Sequence, residues 1–146
     1  MIRKKFYLLV RKTPNSIKKR CSSCFVKIHS SLYIDDPKEK NLYKRVLVYV
    51  RGDRAKTYHV TFKFFNVDPE KKEDLRQKEC WVHCSCPFFK YNLEVVLAKT
   101  GNSSVIKSNG DLPVVRNPNM IPYLCKHINK SYAKAINEKA TEVEKV

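Results

Sequence analysis

Hydrophobic and polar positions alternate most clearly in the first half of the chain. From Phe25 to Leu32, Val26, Ile28, Ser30 and Leu32 alternate with Phe25, Lys27, His29 and Ser31. This period of two puts successive side chains on opposite faces of a strand, here with one apolar face. Asp35-Asp36-Pro37 breaks the run. Arg45 to Arg51 is β-branched and apolar and leads into a turn at Gly52-Asp53. Lys56 to Phe65 alternates again, with Tyr58, Val60, Phe62 and Phe64 sharing a face against His59, Thr61 and Lys63. A solvated segment follows from Asp68 to Lys78, and Glu79 to Cys84 reads as the next strand. Phe6 to Arg11, short and rich in apolar and aromatic residues, is also predicted to be a strand, ended by a turn at Pro14-Asn15. Together these segments predict an antiparallel meander.

The pattern then changes. Phe88 to Lys99 contains no proline or glycine and places Phe88, Tyr91, Val95 and Ala98 at helical spacing. Pro87 suits a first helical turn, and Gly101 suits a helix end. Asn102 to Pro122 holds turn formers without periodicity, and Tyr123 to Glu142 reads as a closing helix. The class is therefore α+β, an antiparallel β-meander followed by a helical C-terminal part. Three stretches follow from this: a basic β-rich part (1–78), a cysteine- and histidine-bearing module (79–132) and a helix end with its tail (133–146). At 146 residues they fit one compact domain.

Charge adds a second constraint. Thirty Lys and Arg face fourteen Asp and Glu, a formal net charge of +16. No acidic residue precedes Asp35, whereas Arg11, Lys12, Lys18, Lys19 and Arg20 do, so a basic face near the amino end is expected to meet an acidic partner. The apolar run Phe6 to Val10 is too short for a signal peptide and far too short for a membrane span. Without an export signal the six cysteines are expected to stay reduced, and clustered Cys and His then point to metal.

Cys84-Ser85-Cys86 and Cys125-Lys126-His127 carry that chemistry. Zinc takes thiolate and imidazole donors in tetrahedral array, and four of them close a structural site. An x-separated pair on extended backbone points both side chains the same way, which suits Cys84 and Cys86 at a strand end. Cys125 and His127 would converge at the start of the last helix, whose positive end favours the Cys125 thiolate. Zinc would then pin the helical C-terminal part to the sheet.

Cys-x-Cys followed by Cys-x-His resembles the motif of SWIM-type zinc fingers. The stretch Cys84-Ser-Cys-Pro-Phe-Phe-Lys-Tyr91, with Ser108-Asn-Gly110, Asn117-Pro118 and Pro122-Tyr-Leu-Cys-Lys-His127, is also similar to SWIM-bearing proteins of large tailed bacteriophages. The resemblance spans about residues 79–132. It implies Cys84, Cys86, Cys125 and His127 as zinc ligands. It also implies a virus-encoded, non-secreted protein of the virion or host cytoplasm. The 38 residues between the pairs are more than cellular SWIM fingers carry.

Other candidates are weaker. Cys21-Ser-Ser-Cys24 has knuckle or redox spacing, but its spare partners are only Cys80, His83 and His29, and His83 faces away from Cys80 on a strand. Free thiols are the expectation for Cys21 and Cys24. His29, His59 and His83 have no adjoining nucleophile–base set, and a four-ligand zinc leaves no open position, so no catalytic residue is expected. Tyr58, Phe62 and Phe64 offer a stacking platform for bases, though their alternation favours core. The sequence thus predicts a non-enzymatic zinc-binding protein whose basic surface meets nucleic acid, DNA above all, or another acidic partner. The alternative is a structural or assembly component of a phage virion that contacts other virion proteins.

Overall fold

The computed structural model describes residues 3–52, 55–113, 116–140 and 142–145. Asp53 of the expected turn and Thr141 of the expected last helix lie outside them.

Four strands form the antiparallel meander: β1 (Phe25–Asp35), β2 (Leu42–Arg51), β3 (Thr57–Phe64) and β4 (Cys80–Cys84). A short fifth strand, β5 (Val143–Lys145), lies parallel to β1, so the mixed sheet runs β4-β3-β2-β1-β5. Three features depart from the sequence reading. The first concerns Phe6–Lys12, which is a helix, α1, where a strand was expected. Phe6 and Leu9 are three apart, so a helix turns both onto the sheet. Both are fully buried, and the Phe6 ring meets Phe62, Phe64 and Tyr132 edge-on or tilted at 5.4–6.1 Å. Five apolar residues in a row cannot distinguish the two periods. A one-turn helix, α2 (Asn15–Lys18), follows where Pro14-Asn15 marked a turn.

The second departure is in β1. An irregularity between Ile28 and Ser30 shifts the register against β2. Before it, Val26 and Ile28 face the same side as Val50 and Val48; after it, Leu32 and Ile34 pair with Arg45 and Tyr43 on the opposite side. The extra residue reverses which positions face the core. Leu32 therefore joins a small outer cluster with Ile34, Tyr43, Phe65 and Trp81.

The third lies in the helical part. The stretch read as one helix is two, α3 (Pro87–Asn92) and α4 (Glu94–Lys99), broken at Leu93. The Asn92 carbonyl accepts a hydrogen bond from Asn117 Nδ2 at 3.0 Å, a loop side chain inserted into the helix. The last helix, α5, spans Lys126–Asn137 and stops short of Glu142. Glu138 turns to extended backbone, its carbonyl accepting from the buried Lys44 Nζ, and the chain returns to pair with β1.

The main core lies between the inner sheet face and α1 and α5. Val46, Val48, Val50, Val60, Phe62, Phe64 and Val82 line the sheet side, with Leu124, Ile128 and Ala135 opposite. Gly101, with φ of 78°, ends α4 in a Schellman-type turn: Gly101 N–H donates to Ala98 O and Asn102 N–H to Leu97 O. That turn delivers Asn102, wholly buried, to the edge of β4. Its Nδ2 donates to Cys80 O at 2.7 Å and Lys4 O at 2.9 Å, and its Oδ1 accepts from Lys4 N–H at 3.0 Å. One side chain so ties the amino end, β4 and the helical part together. Asn102→Ala leaves those backbone groups without partners and is expected to cost roughly 2–3 kcal/mol, read as a lowered denaturation midpoint at unchanged slope.

Candidate metal centre

Cys84 is the last residue of β4, and Cys86 lies just beyond it as the N-cap of α3, accepting from Phe89 N–H at 3.4 Å. Cys125 is the N-cap of α5, and His127 is in that helix's first turn. All four are buried, and one donor atom from each lies within 4.8 Å of all the others. His127 Nδ1 is the ring nitrogen turned to the thiols, 3.7 Å from Cys84 Sγ. A tetrahedral ion with Zn–S near 2.3 Å and Zn–N near 2.0–2.1 Å needs a sulfur–nitrogen separation of roughly 3.6 Å. Donor chemistry and spacing therefore fit a metal ion of this kind.

Several contacts aim these ligands. The His127 ring packs on Tyr58 at 4.5 Å between centroids, tilted 37°. Thr13, at the end of α1, accepts from Leu124 N–H through Oγ1 at 3.0 Å and donates to Leu9 O at 2.7 Å. The amino-terminal helix thereby holds the residue just before Cys125. Nothing in the spacing of Cys and His marks Thr13, and no local signal does, because the segment before it suits a strand as well as a helix.

The electrostatics of these side chains by themselves oppose three thiolates. Burial, then contact with the neighbouring sulfurs, holds the Cys84 thiol well above its ordinary range; burial does the same for Cys125. Cys86 is driven far down, first by the hydrogen bond from Cys125 and then by that from Cys84. A divalent cation is what would let all three ionise. His127 Nε2, on the side away from the sulfurs, is buried without a hydrogen-bond partner among the described residues. Ligation through Nδ1 would leave that nitrogen carrying a proton and seeking an acceptor.

Other sequence candidates lie elsewhere. Cys21 and Cys24 form a disulfide, where free thiols were expected. Cys21 adopts a φ of 70° and Cys24 N–H closes a turn onto Cys21 O, which brings the Cα atoms to 4.9 Å. Cys80 stays a buried free thiol beside Asn102, its pKa pushed up to about 12 by burial. Phe62 and Phe64 are wholly buried, so they are core and no stacking platform, and Tyr58 is half-buried against His127. His29 and His59 flank Tyr49 on the outer sheet face, with ring centroids 4.9 and 4.8 Å from it. Arg11, Lys12, Lys18, Lys19 and Arg20 are all exposed. Arg11 lies over the Tyr7 ring at 5.7 Å, whereas Arg20 lines a cleft beside the metal ligands.

His83 has a structural partner that sequence reading missed. Its Nε2 lies 2.7 Å from an oxygen of Glu94, a wholly buried carboxylate. The same carboxylate accepts the backbone N–H groups of Ile106, Lys107 and Ser108 at 2.9–3.1 Å. Burial opposes ionisation of Glu94, but these donors together outweigh it and hold its pKa low. Glu94 thus anchors the long loop between the two ligand pairs.

No helix among the described residues is long and apolar enough to cross a membrane. Comparison with family models, with curated proteins and with solved structures gives no match for this chain.

Two outcomes follow from this geometry. Native mass spectrometry should find one zinc per chain, lost in Cys125→Ser and His127→Ala but kept in Cys21→Ser; zinc affinity should rise with pH as protons leave the thiols. Glu94→Gln should destabilise the fold by roughly 1–3 kcal/mol and speed amide exchange at Ile106, Lys107 and Ser108. Because the folded carboxyl pKa is depressed, the Glu94 contribution is present above the ordinary carboxyl pKa. It is lost as pH falls through the lower folded value, so wild type and variant should converge in acid.

Proposed function

We propose that the chain is a non-enzymatic zinc-binding protein of SWIM type whose basic surface binds nucleic acid. The observation that carries the zinc reading is the convergence of three buried cysteines and one buried histidine from a strand end and a helix start. Cysteine-rich tetrahedral sites of this kind favour zinc, and four protein donors leave no position for a substrate or a reactive water. The metal's role is then to hold the loop-bearing half against the sheet. Structural zinc contributes about 10–16 kcal/mol of apparent binding energy, which couples to folding.

The nucleic-acid reading rests on charge. A formal +16 on 146 residues makes self-repulsion that an acidic partner relieves. Lys18, Lys19 and Arg20 are exposed and belong to no ion pair among the described residues. Fluorescence anisotropy with a labelled DNA of mixed sequence tests this. Affinity should fall steeply between 50 and 200 mM salt, on the order of tenfold or more, because neutralised phosphates release counterions. Charge reversal of Lys18, Lys19 and Arg20 together should weaken binding uniformly across sequences. Salt-independent binding would overturn the assignment.

A further inference from the structure

Two concave surfaces adjoin the metal ligands. The larger, of about 770 Å³, is lined by Cys86 and His127 themselves, by Tyr58 and by the cations Arg20, Lys56 and Lys126. The second, of about 550 Å³, is lined by the exposed Tyr91, by Leu112 and by Arg116. Pro87 and Phe88 line both, so the two meet over the start of α3. We propose that together they form a groove for single-stranded nucleic acid, with phosphates in the cationic part and bases on the apolar part. This rests on the nucleic-acid reading above and adds where the strand lies and which form is bound.

Charge complementarity supports the occupant. No Asp or Glu lines either surface among the described residues, and Arg20, Lys56, Lys126 and Arg116 take part in no ion pair there. The amino end of the 12-residue α5 also opens onto the cationic part at Lys126 and His127, where its dipole favours an anion. His127 Nε2 lies there too, buried and without an acceptor among the described residues. It is about 3.9 Å from where a first side-chain carbon would stand on Gly52, so a side chain there would touch it.

Strandedness follows from the apolar part. Tyr91 is 63% exposed, and its ring already carries the Lys90 ammonium at 4.8 Å. An exposed aromatic ring beside a cationic groove offers a stacking face to an unpaired base, which a duplex keeps inside its own stack.

The experiment uses the zinc-loaded full chain and fluorescein-labelled oligo(dT) of about 20 nucleotides, with a mixed-sequence hairpin duplex and poly-glutamate as competitors. Oligo(dT) should bind more tightly than the duplex. Tyr91→Ala should weaken oligo(dT) by a factor of about ten, as expected for the loss of one stacking contact. Lys56→Glu and Arg116→Glu should each weaken it and reduce its salt slope by about one. Lys72→Glu, the same charge change at an exposed site outside both surfaces, should do so less. All four substitutions are at exposed positions, and zinc content by mass spectrometry checks that each variant keeps its fold. Three results would overturn the groove while leaving nucleic-acid binding intact: duplex preference, indifference to Tyr91→Ala, or an equal loss in Lys72→Glu. Binding to poly-glutamate alone, or to no nucleic acid, would overturn both readings.

Discussion

The meeting of three buried sulfurs and one buried imidazole is the constraint on which the second half of the molecule depends. Burial opposes ionisation of thiols packed so closely: it holds Cys84 and Cys125 high, while hydrogen bonds from those two hold Cys86 low. A divalent ion would offset that opposition. It would also join segments that local structure leaves apart, since 38 residues separate Cys86 from Cys125. Among the described residues, the long loop between them has no helix or strand after α4, and side chains reaching back hold it. Glu94 gathers three consecutive backbone donors, and Asn117 pins the turn before Ile121 onto α3.

The sheet sets the frame for this arrangement. β4 is the strand that ends in Cys84, and it is stitched to β3 from Phe64–Cys80 to Val60–Cys84. The same register that buries Phe62 and Phe64 therefore fixes the height at which the first ligand emerges. On the opposite side, α5 crosses the inner face with Ile128 and Ala135 fully buried, which fixes where its amino end, Cys125 and His127, must lie. Core packing and ligand position are one problem here, because every ligand sits within two residues of an element boundary.

The basic surface and the ligand cluster meet in a way their positions along the chain do not suggest. Arg20 belongs to the amino-terminal segment and Lys56 to the β2–β3 connection, yet both line the cleft floored by Cys86 and His127. The candidate ligands and the cations available to a partner thus share one face.

By itself, the sequence determined the strand cores of β1 to β4, the ligand pairs and the helix end at Gly101. Each is written in local terms: a period of two, an x-separated donor pair, a residue suited to positive φ. It could not decide α1, because five apolar residues satisfy a helix and a strand equally until Phe62 and Phe64 choose which side chains they receive. It could not place Leu32 either, since a single extra residue in β1 moves that side chain across the sheet and only pairing with β2 reveals it. The parallel β5, the Glu94 and Asn102 anchors and the joined surfaces over α3 were decided by tertiary structure alone. Each depends on partners far apart in sequence, and such partners leave no periodic trace in the chain that carries them.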